Sequence, residues 1–126
     1  NDLSRIKILL LGVTYKEDID DTRYSPSEFF FRKMNYLGAK VEVHDPLTRY
    51  WDEIKINISN KIADIKKFDA VVFAVKHKEY QKINFNKWKT KKRNFLVIDA
   101  NNVLTKNQIK ILKKKKFNLI SIGKGV

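Results

Sequence analysis

One short run limits the architectures open to this chain more than any other feature. Ile6-Lys7-Ile8-Leu9-Leu10-Leu11 is almost continuously apolar and stops at Gly12. A strand with one wet face alternates polar and apolar residues. A near-continuous apolar run of strand length is instead buried on both faces, as in a parallel sheet. Parallel neighbours cannot be joined by tight hairpins and need crossover segments, usually helical. The rest of the chain should therefore alternate strands with helices.

It does. Ser25-Pro26-Ser27-Glu28 reads as a helix start, with Ser25 as N-cap, Pro26 at the first helical position and Glu28 completing a capping box. Phe29, Phe30, Met34 and Leu37 supply its apolar face, and Gly38 ends it. Val41 to His44 is a second strand, stopped by Asp45-Pro46. Between residues 47 and 67, alternating Ile54, Ile56 and Ile58 read as a short strand, and Asn60 to Lys67 as a helix. Ala70 to Val75 is a further buried strand. Short helical pieces follow at His77–Tyr80 and Asn84–Lys89. Phe95 to Ile98 is a strand ending at Asp99. Thr105 and Gln108 form a capping box for a helix to about Lys115. Leu119 to Ile122 is the last strand, closed by Gly123 and Gly125. The expected class is α/β: an open, doubly wound, mainly parallel, Rossmann-like sheet with helices on both faces.

At 126 residues the chain suffices for one domain. No apolar run approaches the roughly 20 residues of a membrane-spanning helix, and the opening residues lack the pattern of a signal peptide. The absence of cysteine excludes disulfides, thiolate metal sites and a cysteine nucleophile within these residues, and fits a cytoplasmic protein. The first residue is Asn1 and a strand begins at Ile6, so the chain is expected to be an excised piece. The net charge of +13 raises the question of a nucleic-acid partner. Lys, Ile and Asn are all abundant, however, which favours a lysine-solvated surface over a nucleic-acid face.

The chemistry should lie after the first strand. In open α/β sheets ligands bind beyond the carboxyl ends of the strands, near the switch in strand order. Connections there usually run about 2–6 residues, yet Val13 to Tyr24 intervene between Gly12 and Ser25. Only Gly12 of a G-x-G-x-x-G fingerprint is present, and no Walker A sequence occurs, so neither NAD nor ATP is expected to sit here in the usual way. Lys16 suits a diphosphate or sugar oxygen. Tyr15 suits either a ligand contact or an anchor to the core. Asp18, Asp20 and Asp21 resemble a cation site in composition, but nearby Arg23 favours a carboxylate–guanidinium network of Asp20, Asp21 and Arg23 that fixes the loop, and no metal site. His44 and His77 read as structural, and Asp99 as a cap or guide for the Asn101-Asn102 turn.

The segment Gly12-Val13-Thr14-Tyr15-Lys16 through Asp21-Thr22-Arg23-Tyr24-Ser25-Pro26 resembles G-x-x-[YF]-K-x-x-x-x-D-x-R-x-S-P. That signature opens the C-terminal domain of the UDP-glucose, UDP-N-acetylhexosamine and GDP-mannose dehydrogenases. Gly38 to Pro46, Asp69 to Val75 with His77 and Tyr80, Val97 to Val103, and Ile122 to Gly125 resemble four further motifs of that family, in order. The resemblance implies a single UDP-sugar-binding domain over 1–126, with Tyr15, Lys16, Asn101 and Asn102 at the substrate. Asn101 stands where the family carries a cation, so it can hydrogen-bond but adds no charge. The resemblance further implies an NAD-dependent oxidation of the sugar C6 alcohol to a carboxylate. The NAD, the catalytic residues and the homodimer contacts would then belong to the enzyme's other domains, leaving none of the catalytic groups here. The wording of the first motif leans to the N-acetylhexosamine branch. Two other readings compete: a basic nucleic-acid-binding module, and a receiver-like domain built on Asp20 and Asp21, whose spacing from the first strand fits poorly. Arg23 is expected to stabilise the fold, and Lys16 to act on ligand.

Overall fold

A computed structural model of the protein describes residues 2–122. Five parallel strands form its sheet: β1 (Lys7–Leu11), β2 (Lys40–His44), β5 (Ala70–Phe73), β6 (Leu96–Asp99) and β7 (Asn118–Ser121). Their order is β2-β1-β5-β6-β7, all neighbours parallel. The chain thus winds one way from β1 to β2 and the other way from β5 onward, which is the doubly wound arrangement. The order reverses between β1 and β5. A two-stranded hairpin, β3 (Tyr50–Trp51) with β4 (Ile56–Asn57), lies outside the sheet. The glycines expected to close the last strand fall outside the described residues.

The alternation of side chains along β1 divides the interior in two. Leu9 and Leu11 face the cluster built with Phe73, Val97, Tyr80, Phe85 and Leu112. Helices α2 (Lys78–Gln81) and α3 (Lys106–Lys114) cover that side. Ile8 and Leu10 face the other way, toward Val43, Trp51, Ile58 and Val72, beneath Phe30, Phe31 and Met34 of α1 (Pro26–Tyr36). Helices therefore pack on both faces. On the α1 side, cover thins toward the β7 edge: Ile98 is half-buried and Ile120 is exposed.

Several local expectations change. Ser25 caps α1 through the N–H of Ser27, while Glu28 turns outward to Arg32 at 2.9 Å, so the capping box does not close. The i,i+4 ion pair outcompetes the reach back to the cap. Phe29 is 76% exposed and Phe31 takes its place in the core, edge-to-face with Trp51 at a ring-centroid distance of 5.4 Å. The helix expected over Asn60–Lys67 shrinks to a 3-10 turn at Ile65–Lys67, because Asp64 caps it there and Ser59 pairs with His44 as an isolated bridge. The alternation at Ile54, Ile56 and Ile58 yields only the two residues of β4.

Candidate functional site

The loop after β1 begins with a tight contact. Gly12 has φ +102°, and a Cβ there would lie 2.7 Å from the Val75 Cβ and 2.9 Å from its backbone N. Only glycine lets the end of β1 approach the end of β5 this closely. The backbone then runs through buried Val13 and Thr14 before emerging at Tyr15 and Lys16.

Asp45, immediately after β2, organises this emergence. It is fully buried, and its Oδ2 accepts the Val13 N–H at 2.9 Å and the Nε2 of His77 at 3.1 Å. Its Oδ1 accepts the Leu47 N–H at 2.8 Å. Burial by itself would raise the Asp45 pKa, but the hydrogen bonds from His77, Val13 and Leu47 outweigh it and hold the carboxyl below its ordinary value. The Nε2 of His77 also lies 3.1 Å from the Thr14 hydroxyl, which donates to the Lys16 carbonyl at 3.0 Å. The Nδ1 of His77 accepts the Asp18 N–H at 3.0 Å. His44 lies alongside, its Nδ1 2.9 Å from the Tyr80 hydroxyl, which donates to the His44 carbonyl at 3.2 Å. Burial pushes the His44 imidazole down and the Tyr80 phenol far up.

The loop surface is polar. Tyr15 is 53% exposed, so its ring is no core anchor; its N–H closes the loop onto the Asp21 carbonyl. Lys16 is exposed. Arg23 grips Asp21 through Nε at 3.0 Å and Nη2 at 2.8 Å. The side-chain bond from Arg23, aided by its backbone N–H, lowers the Asp21 carboxyl to about 2. Asp20 is exposed and stands outside this pair. Across β5, Asp99 is buried and accepts the N–H groups of Asn101, Val103 and Leu104. It thereby folds the turn that presents Asn101 and Asn102, the latter at φ 53°. Asn101 also donates to the Ala74 carbonyl at 3.3 Å.

The two candidate loops thus stand at one edge of the sheet, on strands that flank β5, about 10 Å apart at ordinary strand spacing. Between them, on the α1 side, opens a cleft of about 210 Å³ lined by Pro26, Ser27, Phe30, Ala74, Ala100 and Asn101. Among the described residues no group of three or more His, Cys, Asp or Glu is placed to hold a metal ion. Sequence reasoning set His77 and Asp45 aside; the signal available was their place at the carboxyl ends of β5 and β2.

The sequence profile of the UDP-glucose/GDP-mannose dehydrogenase family, UDP binding domain, matches residues 9–106, from within β1 to the start of α3. The chain belongs to this family. UDP-N-acetyl-D-mannosamine dehydrogenase of Methanococcus aeolicus is 28% identical over 124 residues, covering 94% of this chain and 26% of that protein. UDP-glucose 6-dehydrogenase of Rickettsia bellii is 25% identical over 114 residues, covering 86% of this chain and 26% of its own length. The crystal structure of an NDP-N-acetyl-D-galactosaminuronic acid dehydrogenase from Methanosarcina mazei superposes with a TM-score of 0.79 at 28% identity, over 98% of this chain and 26% of that one. This dehydrogenase-family domain therefore spans about a quarter of the length of these relatives.

Proposed function

We propose that the chain is the UDP-sugar-binding part of an NAD-dependent nucleotide-sugar 6-dehydrogenase, of the UDP-N-acetylhexosamine or UDP-glucose type, acting in polysaccharide biosynthesis. The observation that carries this reading is the β1 loop: an ordered polar excursion, presented at the strand-order switch, with Tyr15 and Lys16 outermost. Lys16 supplies a cation for the diphosphate, Tyr15 a ring and hydroxyl for the nucleotide or sugar, and Asn101 and Asn102 neutral hydrogen-bonding groups across β5. Asn101 gives up charge where the family motif has a cation, so Lys16 becomes the main positive contact. Oxidation of the C6 alcohol to a carboxylate needs NAD and, by the family's chemistry, a thiol. The 126 residues contain no cysteine. In this reading the rest of the enzyme holds the NAD and the reacting groups, and supplies the homodimer contacts.

Adding UDP to the 15N-labelled chain should move the amide signals of Tyr15 to Arg23 and those near Asn101. Shifts confined to Lys113–Lys116 would mean nonspecific anion binding and would defeat the proposal. The chain alone, given NAD and a UDP-sugar, should form no NADH.

A further inference from the structure

The position of Lys16 depends on one buried ring. We propose that His77 is the positioning residue of the nucleotide loop, and that only its neutral, Nε2-protonated tautomer closes that loop. The proposal rests on the reading of the β1 loop as the nucleotide-binding element.

The tautomer follows from the partners. The Asp18 backbone N–H can only donate, so Nδ1, 3.0 Å away, must accept and carries no proton. In the neutral ring the proton is then on Nε2, which faces the Asp45 carboxylate and the Thr14 hydroxyl, both at 3.1 Å. The Thr14 hydroxyl has spent its own proton on the Lys16 carbonyl, so it too accepts from Nε2. Every group in the cluster is satisfied in one protonation state. Lys16 is bracketed by it: its carbonyl is held by Thr14, and the backbone two residues on is held by Nδ1. Asp18 itself sits at φ 59°, a left-handed conformation that a non-glycine residue keeps only when its surroundings insist. His77 is 1% exposed and Asp45 fully buried, so the ring that accepts the Asp18 N–H is held inside the protein.

A second proton on His77 would set an N–H against the Asp18 N–H. It would strengthen the bond to Asp45 and expel residues 16–18. The charged and titratable groups around the ring are Asp45 and His44 at the end of β2, Asp18 from the loop, and Lys78, Glu79 and Tyr80 from α2. Neither Asp45 nor His44 offers Nδ1 a substitute partner.

The experiment uses the 15N-labelled chain with UDP as probe. Ring-nitrogen NMR should report His77 as the Nε2–H tautomer, and the Asp18 amide should be protected from exchange. On acidification the Asp18 signal should move with the same midpoint as the His77 ring, and UDP affinity should fall with it. Two variants divide the ring's roles. His77→Asn can place an oxygen where Nδ1 lies and should keep both Asp18 protection and UDP affinity within about threefold. His77→Gln can replace the Nε2–H donor but leaves Asp18 unaccepted, and should lose roughly tenfold in affinity, the worth of one net hydrogen bond. A ring in the other tautomer, an Asp18 amide indifferent to ring protonation, or equal loss in both folded variants would overturn the positioning role. A wild-type chain that closes its loop but binds no UDP would instead defeat the nucleotide reading and leave His77 as a loop latch alone. The acid titration of the wild type decides the matter even if neither variant folds.

Discussion

Gly12 is the residue with least freedom to change. Gly12→Ala would combine a positive φ with a clash against Val75 backbone, and should cost about 2–4 kcal/mol, seen as a lowered Tm. Arg23 behaves in the opposite way. From the sequence its loss should weaken the fold, yet its side chain is 73% exposed and it grips only Asp21, two residues away. Solvent replaces such a partner readily, so Arg23→Ala should leave the Tm nearly unchanged. Lys16→Ala should also leave it unchanged while weakening UDP, a pair of outcomes that a melt and a titration resolve. The Arg23–Asp21 pair was legible in the sequence because its members stand two residues apart. The Asp45–His77 pair was not, because its members are 32 residues apart and join only when β2 and β5 lie on either side of β1. That pair also sets an acid limit. Asp45 is held below its ordinary pKa, so the stability it brings is present above the unfolded carboxyl's value of about 3.9 and is lost as pH falls through the lower folded value. Thermal melts should show the loss below pH 4, and Asp45→Asn should flatten that part of the profile.

At the scale of elements, two capping-box sequences of the same spacing, Ser25–Glu28 and Thr105–Gln108, had different fates. Thr105 and Gln108 close theirs reciprocally at 3.0 and 3.1 Å, whereas Glu28 is drawn off by Arg32. Sequence spacing alone cannot weigh a competing partner one turn further on. Gln108 does more than cap. Its buried amide also donates to the carbonyls of Tyr80 and Ile83, fastening α3 to α2. Thr105→Ala should therefore cost about 1 kcal/mol, the usual worth of an N-cap. Gln108→Ala should cost about 2–3 kcal/mol, since it abandons two further acceptors as well. Chemical denaturation of the pair tests that ranking. Strands β1, β5 and β6 were legible because continuous apolar runs have few interpretations. The stretch from Leu47 to Lys67 was not: Ile56 serves a hairpin, Ser59 a bridge and Ile65 a 3-10 turn, none long enough to impose a period.

At the scale of the whole molecule, the densest cation runs meet at the amino-terminal edge of the sheet, away from the loops that follow β1 and β6. Lys91, Lys92 and Arg93 line one cavity with Lys115 and Lys116. The Asn118 amide, donating to the carbonyls of Arg93 and Phe95, ties the two segments together. Lys115 turns inward, donating to the carbonyls of Phe85, Asn86 and Trp88, while Lys113, Lys114 and Lys116 remain in solvent. These lysines immediately precede β7, which among the described residues has a neighbour on one side only and carries exposed Ile120. An unpaired edge of that kind is a template for another chain's strand, and charge beside it is a known deterrent. The lysine run then acts as a colloidal guard: two copies approaching edge to edge must first bring like charges together. Salt shortens the reach of that repulsion to about 3 Å at 1 M. Light scattering should find the protein dispersed at low ionic strength and prone to self-association at high salt, the reverse of what an assembly held by ion pairs would do.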